Sequence, residues 1–413
     1  MKPPAPLRHR DFRSLWTAGL ISDSGDWLLL IAIPIVVYDF TGSALGMAAV
    51  FLVELLPGIL LAPLAGRLAD RWDRRRLLLT VSLLQAAALL PLWFVDSRAD
   101  LPILYLVILV EAVLLTIFDP AKNALLPALL PAGQLMSANA LIGMNQNLGR
   151  LIGGPLGGLL LATGNLKLIV VVDLISYGCA AVLIWRLDST GPRTANQPQS
   201  GSEVVATGYG GFLTVLRSRQ LRAGLLVALT VQIAQGIFVV LFIVFVVQRL
   251  HGGPAEIGLL RGVQAIGAIA GGVALALLPR NVAPGKLVAW AATAIALIEL
   301  VLWNAPSLTT AWALYVALFI LVGSPGIAVV TGLVSIFQRA VGEEERGRAF
   351  SALNLAINAG QGIGMLSAGL LTTTLGLLPL LNGAAVLYLV AGIIAARSFA
   401  CMRVRTLKPV VAR

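Results

Sequence analysis

A small set of ionisable residues falls inside long apolar stretches of the chain. These residues are Asp23, Asp26, Glu54, Glu111, Asp119, Arg150, Asp173, Arg261 and Glu299. A charge near the centre of a bilayer costs at least about 2.5–3.5 kcal/mol on insertion scales, so residues of this kind are functional candidates. A carboxyl group in a low-dielectric cavity can bind a proton on one side of a membrane and release it on the other. The chemistry that these residues predict is therefore proton carriage.

Five of these residues are the candidates for proton coupling or for lining a cavity: Asp23, Asp26, Glu54, Glu111 and Arg150. Asp23 and Asp26 are three residues apart, which places them on one face of a helix. Glu111 and Arg150 lie about half-way along their apolar stretches, and we expect them to meet at similar depth. The alternative for Glu54 and Glu111 is a buried ion pair that fixes helix packing.

Other polar residues in apolar stretches have more than one interpretation. Asp173 and Glu299 are either functional or structural, and Arg261 is able to neutralise one of them. Three uncharged polar residues are predicted contacts of a small-molecule cargo: Gln232, Gln235 and Asn358.

The composition indicates which elements position these residues. The chain has 413 residues, of which 58% are hydrophobic and only 12% charged, whereas about a quarter of an ordinary soluble domain is charged. The apolar stretches are about 20 residues long, the length that a helix needs to cross a bilayer. A water-soluble enzyme, a disulfide-stabilised secreted domain and a disordered chain are excluded. We predict an all-α membrane protein with transmembrane helices near residues 12–38, 44–65, 77–95, 102–123, 139–163, 166–187, 219–249, 256–279, 287–305, 309–336, 347–373 and 376–397.

The net charge of +11 is explained by membrane topology. Most lysines and arginines fall in the segments that are cytoplasmic if the N-terminus is cytoplasmic, and the positive-inside rule then places both termini in the cytoplasm. A basic surface for nucleic acid is the competing interpretation, and we reject it. We expect no nucleic-acid partner; the expected partners are a small-molecule substrate and membrane lipid.

The chain divides into two similar halves. A polar stretch at 188–217, rich in Gly, Ser, Pro and Gln, is predicted to be a cytoplasmic linker between six-helix bundles at 1–187 and 218–413, the second with a cytoplasmic tail. A shift of 211 positions matches Asn147 with Asn358 and Gly149 with Gly360. Parallel repeats of this kind place a substrate site at the bilayer midplane between the halves.

A loop motif between the second and third predicted helices carries a resemblance. The segment Gly66-Arg-Leu-Ala-Asp70-Arg71-Trp-Asp-Arg74-Arg75-Arg76 resembles the loop signature of the major facilitator superfamily. That resemblance implies twelve transmembrane helices in two pseudo-symmetric six-helix bundles. It also implies a gating loop formed by Gly66, Asp70, Arg71 and Arg75, with Asp119 in the same charge network.

The fifth predicted helix carries a second motif. Gly149, Gly153, Pro155, Gly157 and Gly158 resemble the antiporter signature of the superfamily, with the proline displaced by one position. Glycines four residues apart let two helix backbones touch, and a proline adds a kink. The alternative is ordinary packing of small residues.

The first half as a whole is similar to the drug:proton antiporter branch, which includes macrolide-efflux proteins and the enterobactin exporter. Phe12-Arg-Ser-Leu-Trp16 and Pro120-Ala…Leu-Pro127 belong to this similarity. It implies a monomeric, proton-coupled exporter of hydrophobic or amphipathic small molecules in the bacterial inner membrane. The alternatives are a dedicated siderophore or lipid exporter of the same fold and a non-transporting membrane sensor. The sequence contains no nucleophile–base pair, nucleotide-binding loop or metal-ligand cluster, so we expect no enzyme activity, metal or cofactor, with the proton gradient as the energy source.

Overall fold

The computed structural model describes residues 4–187, 218–277 and 282–399, without the side chains of Asp70, Glu343 and Glu344. Within these ranges every regular element is helical. The predicted linker and residues 400–413 of the predicted tail lie outside the described residues.

The helices follow the predicted order closely. The first half contains α1 (Arg10–Thr41), α2 (Ala44–Leu60), α3 (Ala62–Arg71), α4 (Arg74–Ala88), α5 (Leu101–Leu129), α6 (Leu135–Ala162) and α7 (Leu166–Trp185). The second half contains α8 (Arg219–Arg249), α9 (Pro254–Leu277), α10 (Pro284–Asn304), α11 (Trp312–Ala340), α12 (Glu343–Leu375) and α13 (Leu377–Phe399). The helices α2 and α3 together fill one predicted span, with a bend of 56° between them.

The number of membrane crossings is only partly fixed by length and composition. Among the described residues, nine helices are long and apolar enough to span a bilayer, or ten if the bent pair α2–α3 counts as one span. The helices α6 and α12 have 28 and 33 residues, which is long enough to cross, but they carry polar residues such as Asn147 and Asn358. The count of twelve spans stays a prediction.

Sequence signals at the helix ends place the turns. Gly42 ends α1 in the left-handed conformation, with φ of 63°, a backbone geometry that glycine adopts at little cost. The next residue, Ser43, caps α2 by accepting a hydrogen bond from the Gly46 N–H at 3.3 Å. The side chain of Asp73 caps α4 in the same way, accepting from the Arg76 N–H at 2.8 Å. This cap fixes the start of α4 within the loop motif.

Glycines bring helices into backbone contact within each half. A methyl group at Gly149 of α6 would lie 2.9 Å from Cβ of Asp23 on α1, and one at Gly157 would lie 3.0 Å from Cα of Leu28. The same contact recurs 211 positions later, where a methyl group at Gly360 of α12 would lie 2.7 Å from the Leu229 carbonyl oxygen of α8. The central helices α1 and α8 are thus packed equivalently, which fits two pseudo-symmetric bundles.

The two halves touch each other at one end of the molecule. Gly154 and Gly158 lie on α6 and face Gly258 of α9, where an added methyl group would contact the Gly154 carbonyl and lie 2.9 Å from Cα of Gly158. We call this end, which also carries the α1–α2, α6–α7, α8–α9 and α12–α13 turns, the closed end. The halves separate toward the opposite end, which carries the basic α3–α4 turn.

We predict that Gly258→Ala opens the closed end, because a methyl group has no room between the α6 and α9 backbones. Overpacking of this kind costs about 1–3 kcal/mol, and the cost applies only in the conformation in which these helices touch. Spin labels at Thr163 and Arg249, one in each half, should therefore report a longer distance in double electron–electron resonance.

The matched control is Gly272→Ala on the same helix, where an added methyl group meets open space. The control should leave the distance distribution unchanged. An unchanged distribution in Gly258→Ala as well would contradict the packing described above.

Candidate functional site

A cavity of about 770 Å³ lies between the two halves. We call it the central cavity. Its lining includes six residues singled out from the sequence: Glu54, Asp119, Arg150, Gln235, Arg261 and Asn358. Both halves contribute residues to the lining. They touch at the closed end and separate toward the opposite end, and the central cavity is the space between them.

A smaller cavity of about 80 Å³ lies within the first half. We call it the acid pocket. Asp26 of α1, Glu54 of α2, Gln85 of α4, Glu111 of α5 and Tyr177 of α7 line it. Glu54 lines both the acid pocket and the central cavity, so this residue lies at the boundary between them.

The hydroxyl group of Tyr177 lies between the carboxyl groups of the acid pocket. It lies 2.5 Å from Oδ1 of Asp26 and 3.2 Å from Oε2 of Glu111, and it accepts from Nε2 of Gln85 at 3.3 Å. The other oxygen of Glu111 is buried without a partner in the described part of the chain. A phenol has one hydrogen, so it can donate to only one of the two carboxylates at a time.

A third carboxyl group is buried on the same helix as Tyr177. Asp173 is 0% exposed and accepts a hydrogen bond from the Ser176 hydroxyl at 2.8 Å. Its side chain packs directly on Gly25 of α1, where an added methyl group would collide with the carboxyl oxygen. Over the described ranges, no basic nitrogen lies within 4.0 Å of Asp26, Glu111 or Asp173.

The arginines of the apolar stretches occupy a different place. Arg150 does not meet Glu111 as expected: its Nη2 donates to Oδ1 of Asn147 at 3.2 Å and its Nη1 to Oε1 of Gln264 at 3.5 Å. The reason is helix rotation, because the Arg150 side chain points from α6 into the central cavity and the Glu111 side chain points from α5 into the acid pocket.

Arg261 neutralises neither Asp173 nor Glu299, contrary to one interpretation of the sequence. It is 9% exposed, lines the central cavity and donates from Nη1 to the same Gln264 oxygen at 3.5 Å. The ion pairs found among the described residues join Lys122 to Asp119 and Lys167 to Asp96.

The second half has a pocket related to the acid pocket. This cavity of about 180 Å³ is lined by Gln232, Gln235, Glu299 and Tyr388. Tyr388 lies 211 positions after Tyr177 and donates to Oε1 of Gln235 at 3.1 Å. Each half therefore has a tyrosine hydroxyl against its central helix, but the acceptor is a carboxylate in the first half and an amide in the second.

Residues 1–408 match the profile of a family described as transmembrane secretion effector, a family of the major facilitator superfamily. The chain belongs to this family.

Curated relatives of the chain are transporters of the same superfamily. An uncharacterised transporter of Bacillus subtilis, YfiS, is 24% identical over 91% of this chain and 90% of its own length. The multidrug efflux pump Tap of Mycolicibacterium fortuitum is 26% identical over 87% of this chain and 88% of its own length. Macrolide efflux protein A of Streptococcus pyogenes is 25% identical over 50% of this chain and 53% of its own length.

Solved transporter structures share the fold. A bacterial homologue of the iron transporter ferroportin in its inward-facing state superposes on 95% of this chain and 99% of its own, with a TM-score of 0.77 and 18% identity. The outward-facing structure of a bacterial ferroportin homologue covers 94% and 99% with a TM-score of 0.62, also at 18% identity.

The loop that characterises the superfamily joins α3 to α4. Arg74 donates to the Ala124 carbonyl oxygen of α5 at 2.7 Å, and Arg75 donates to the Trp185 carbonyl oxygen of α7. An added methyl group at Gly66 meets open space, so no described residue packs closely on this glycine in this conformation.

The charge network predicted for this loop differs in one pairing. Asp119 pairs with Lys122, one turn further along α5, at 2.8 Å, and not with Arg71, which is exposed. The side chain of Asp70 lies outside the described residues, so its predicted role in the gating loop stays a prediction.

The remaining predicted residues lie at helix contacts. Asp23 is held at the α1–α6 contact by Gly149, and Gly153 packs on Ser24 and Trp27. Pro155 lies against Gly262 of α9, where an added methyl group would lie 2.5 Å from the proline ring. The glycines resembling an antiporter signature thus make two contacts, one within the first half and one between the halves.

Several residues of the site were not predicted. Tyr177 and Gln85 of the acid pocket carry no charge, and neither do Trp27 and Gln264 of the central cavity, so a search for buried charges missed them. A signal was available for Tyr177, since the 211-residue shift maps it onto Tyr388.

We predict that Tyr177→Phe lowers the free energy of unfolding more than Tyr388→Phe. Loss of the Tyr177 hydroxyl leaves buried carboxyl oxygens unpartnered, which costs about 1–3 kcal/mol or more. Tyr388 bonds a neutral amide, where a lost hydrogen bond costs about 0.5–1.5 kcal/mol. Thermal unfolding of both variants in the same detergent measures the difference, and equal effects would contradict the central position of Tyr177.

Proposed function

We propose that the chain is a proton-coupled exporter of hydrophobic or amphipathic small molecules that works by alternating access. The observation that carries the proposal is the position of Glu54, which lines both the acid pocket and the central cavity. A carboxyl group at this boundary is able to respond to both a proton and a cargo. The efflux function of Tap and of macrolide efflux protein A supports export as the direction.

The acid pocket supplies an exchangeable proton. Tyr177 is within hydrogen-bond distance of both Asp26 and Glu111, but its one hydrogen serves only one of them. If both contacts are hydrogen bonds, the second carboxyl group carries a proton and donates it to the phenol oxygen. Two carboxyl groups with no cation beside them in the described structure also repel when both are charged, which favours sharing a proton.

Glu54 connects this proton to the cargo. In the proposed cycle the carboxyl groups bind a proton when the central cavity faces outward, keep it as the cavity turns inward, and release it there when cargo binds. Cargo enters the central cavity from the inner side or the inner leaflet. Because Glu54 lines both cavities, cargo binding and protonation of the carboxyl groups compete or alternate. This is the requirement for antiport.

The electrical gradient supplies enough energy for this exchange. One charge that moves across 100 mV is worth about 2.3 kcal/mol, which corresponds to a cargo gradient of several tens-fold. A pH difference across the membrane adds to this value.

We further propose that the chain is a monomer in the bacterial inner membrane with both termini in the cytoplasm. The basic α3–α4 turn lies at the end opposite the closed end, and the positive-inside rule places such turns in the cytoplasm. The conformation described above is then the inward-facing one.

We predict that Glu54→Gln and Glu111→Gln each abolish efflux driven by a pH gradient, because an amide of the same size cannot carry the proton. A tryptophan-quenching panel of erythromycin, ethidium and a catecholate siderophore first identifies a ligand that the purified chain binds. In proteoliposomes, uptake of that ligand driven by a pH gradient should fall at least tenfold in both variants, while gradient-independent exchange persists.

The matched control is Glu256→Gln, which changes a carboxylate at the N-terminus of α9 that accepts from the Gly253 N–H. This variant should transport at the wild-type rate. Proton-coupled transport at the wild-type rate in Glu54→Gln and Glu111→Gln would contradict the proposal that these two residues couple transport to protons.

A further inference from the structure

Arg150 and Arg261 form a pair in the central cavity, and we call them the arginine pair. Arg150 belongs to α6 of the first half and Arg261 to α9 of the second. Each lies 3.5 Å from the same oxygen, Oε1 of Gln264. Two like charges therefore converge on one neutral group at the contact between the halves.

Most hydrogen-bond donors of the arginine pair have no protein acceptor in the described part of the chain. A guanidinium group has five N–H donors. The arginine pair uses its donors on Gln264 and on Asn147, at distances of 3.2–3.5 Å. The Nε of Arg150 is buried without a partner. An arginine in a membrane protein keeps its charge, so these unused donors require an acceptor.

No carboxylate of the described residues supplies that acceptor. Glu54 and Asp119 line the same cavity, yet neither has an oxygen within 4.0 Å of either guanidinium group. Asp26 and Glu111 line the acid pocket, and Glu299 lines the pocket of the second half. The arginine pair is thus a local double positive charge that faces open space.

Aromatic rings lie close to both guanidinium groups. The Cζ atoms of Arg150 and Arg261 each lie 5.7 Å from the ring centroid of Trp27, and Arg261 lies 5.4 Å from that of Phe238. Such cation–π contacts stabilise the charge. They use no N–H donor in a hydrogen bond to an oxygen, so the unused donors stay available to a planar or tetrahedral anion.

We propose that the arginine pair binds the anionic group of an amphipathic cargo: a carboxylate, phosphate or sulfonate carried on an aromatic or aliphatic body. The body of the cargo contacts the apolar part of the cavity wall, which includes Leu30, Phe51 and Val239. This inference rests on the proposed function as an exporter and narrows its substrate class to organic anions. The anion bridges the halves, because it is bound by one arginine from each.

The test is equilibrium dialysis of dansylglycine against the full chain in phosphatidylcholine nanodiscs, with empty nanodiscs as the blank. Dansylamide is the matched neutral probe, with the same aromatic body and no carboxylate. The wild-type chain should bind dansylglycine saturably and more tightly than dansylamide. Arg150→Gln and Arg261→Gln should each weaken dansylglycine binding at least about 30-fold, as expected when one partner of a buried charge pair is truncated.

A second variant keeps the test decisive if the arginine variants fold poorly. Gln264→Glu places a carboxylate between the two guanidinium groups, so it adds an ion pair and occupies the donors that the cargo needs. It should abolish the preference for dansylglycine over dansylamide. Arg222→Gln, which changes an exposed arginine of α8, is the control and should bind both probes as the wild type does.

Equal binding of the two probes, no saturable binding of dansylglycine, or an unchanged preference in Gln264→Glu would overturn the proposal.

Nanodiscs that contain phosphatidylglycerol distinguish the sources of the anion. A loss of dansylglycine affinity in these nanodiscs assigns the arginine pair to lipid headgroups, and an unchanged affinity assigns it to free organic anions. Dialysis needs no proton gradient, so it tests anion binding independently of the proposed function. Anion preference without proton-coupled transport would overturn only the proposed function. Proton-coupled transport without anion preference would overturn only the inference about the arginine pair.

Discussion

Two acids and two arginines of the apolar helices lie in different cavities, and the rest of the site depends on that separation. Asp26 and Glu111 face the acid pocket, whereas Arg150 and Arg261 face the central cavity. A buried ion pair would neutralise both signs and leave nothing to bind a proton or an anion. Because the signs do not meet, each group is stabilised by hydrogen bonds, by a proton or by a ligand. Because the packing leaves these charged groups unpaired, they are available to bind a proton or an anion.

Glycine packing enforces this separation. The α6 helix packs closely on α1 through Gly149, Gly153 and Gly157. Its opposite side packs on α9 through Gly154 and Gly158. The side chain of Arg150, between these two contacts, then has the central cavity as its available space. The same helix therefore sets the position of a functional charge, the packing of the first half and the contact that closes one end of the molecule. A substitution at the α6–α9 contact therefore alters both the closed end and the position of Arg150 in the central cavity.

Much of the architecture could be predicted from the sequence, and the pairing of side chains could not. The span predicted at 219–249 is the helix Arg219–Arg249, since apolar length and capping residues define helix ends. The pairing of Glu111 with Arg150 was wrong, because similar depth on two helices says nothing about their rotation. Tyr177 was missed since an uncharged residue in an apolar helix gives no signal by itself. The bend between α2 and α3 was missed although Pro63, in the first turn of α3, marks it: proline has no N–H with which to continue a helix.

The central claim is that the acid pocket holds a proton between Asp26, Tyr177 and Glu111. Infrared difference spectroscopy of the purified chain during a pH titration measures this directly through the C=O stretch of protonated carboxyl groups. The account predicts a protonated carboxyl band at neutral pH that shrinks in Asp26→Asn or Glu111→Gln and is unchanged in Glu256→Gln. A wild-type spectrum without a protonated carboxyl band at neutral pH would contradict it.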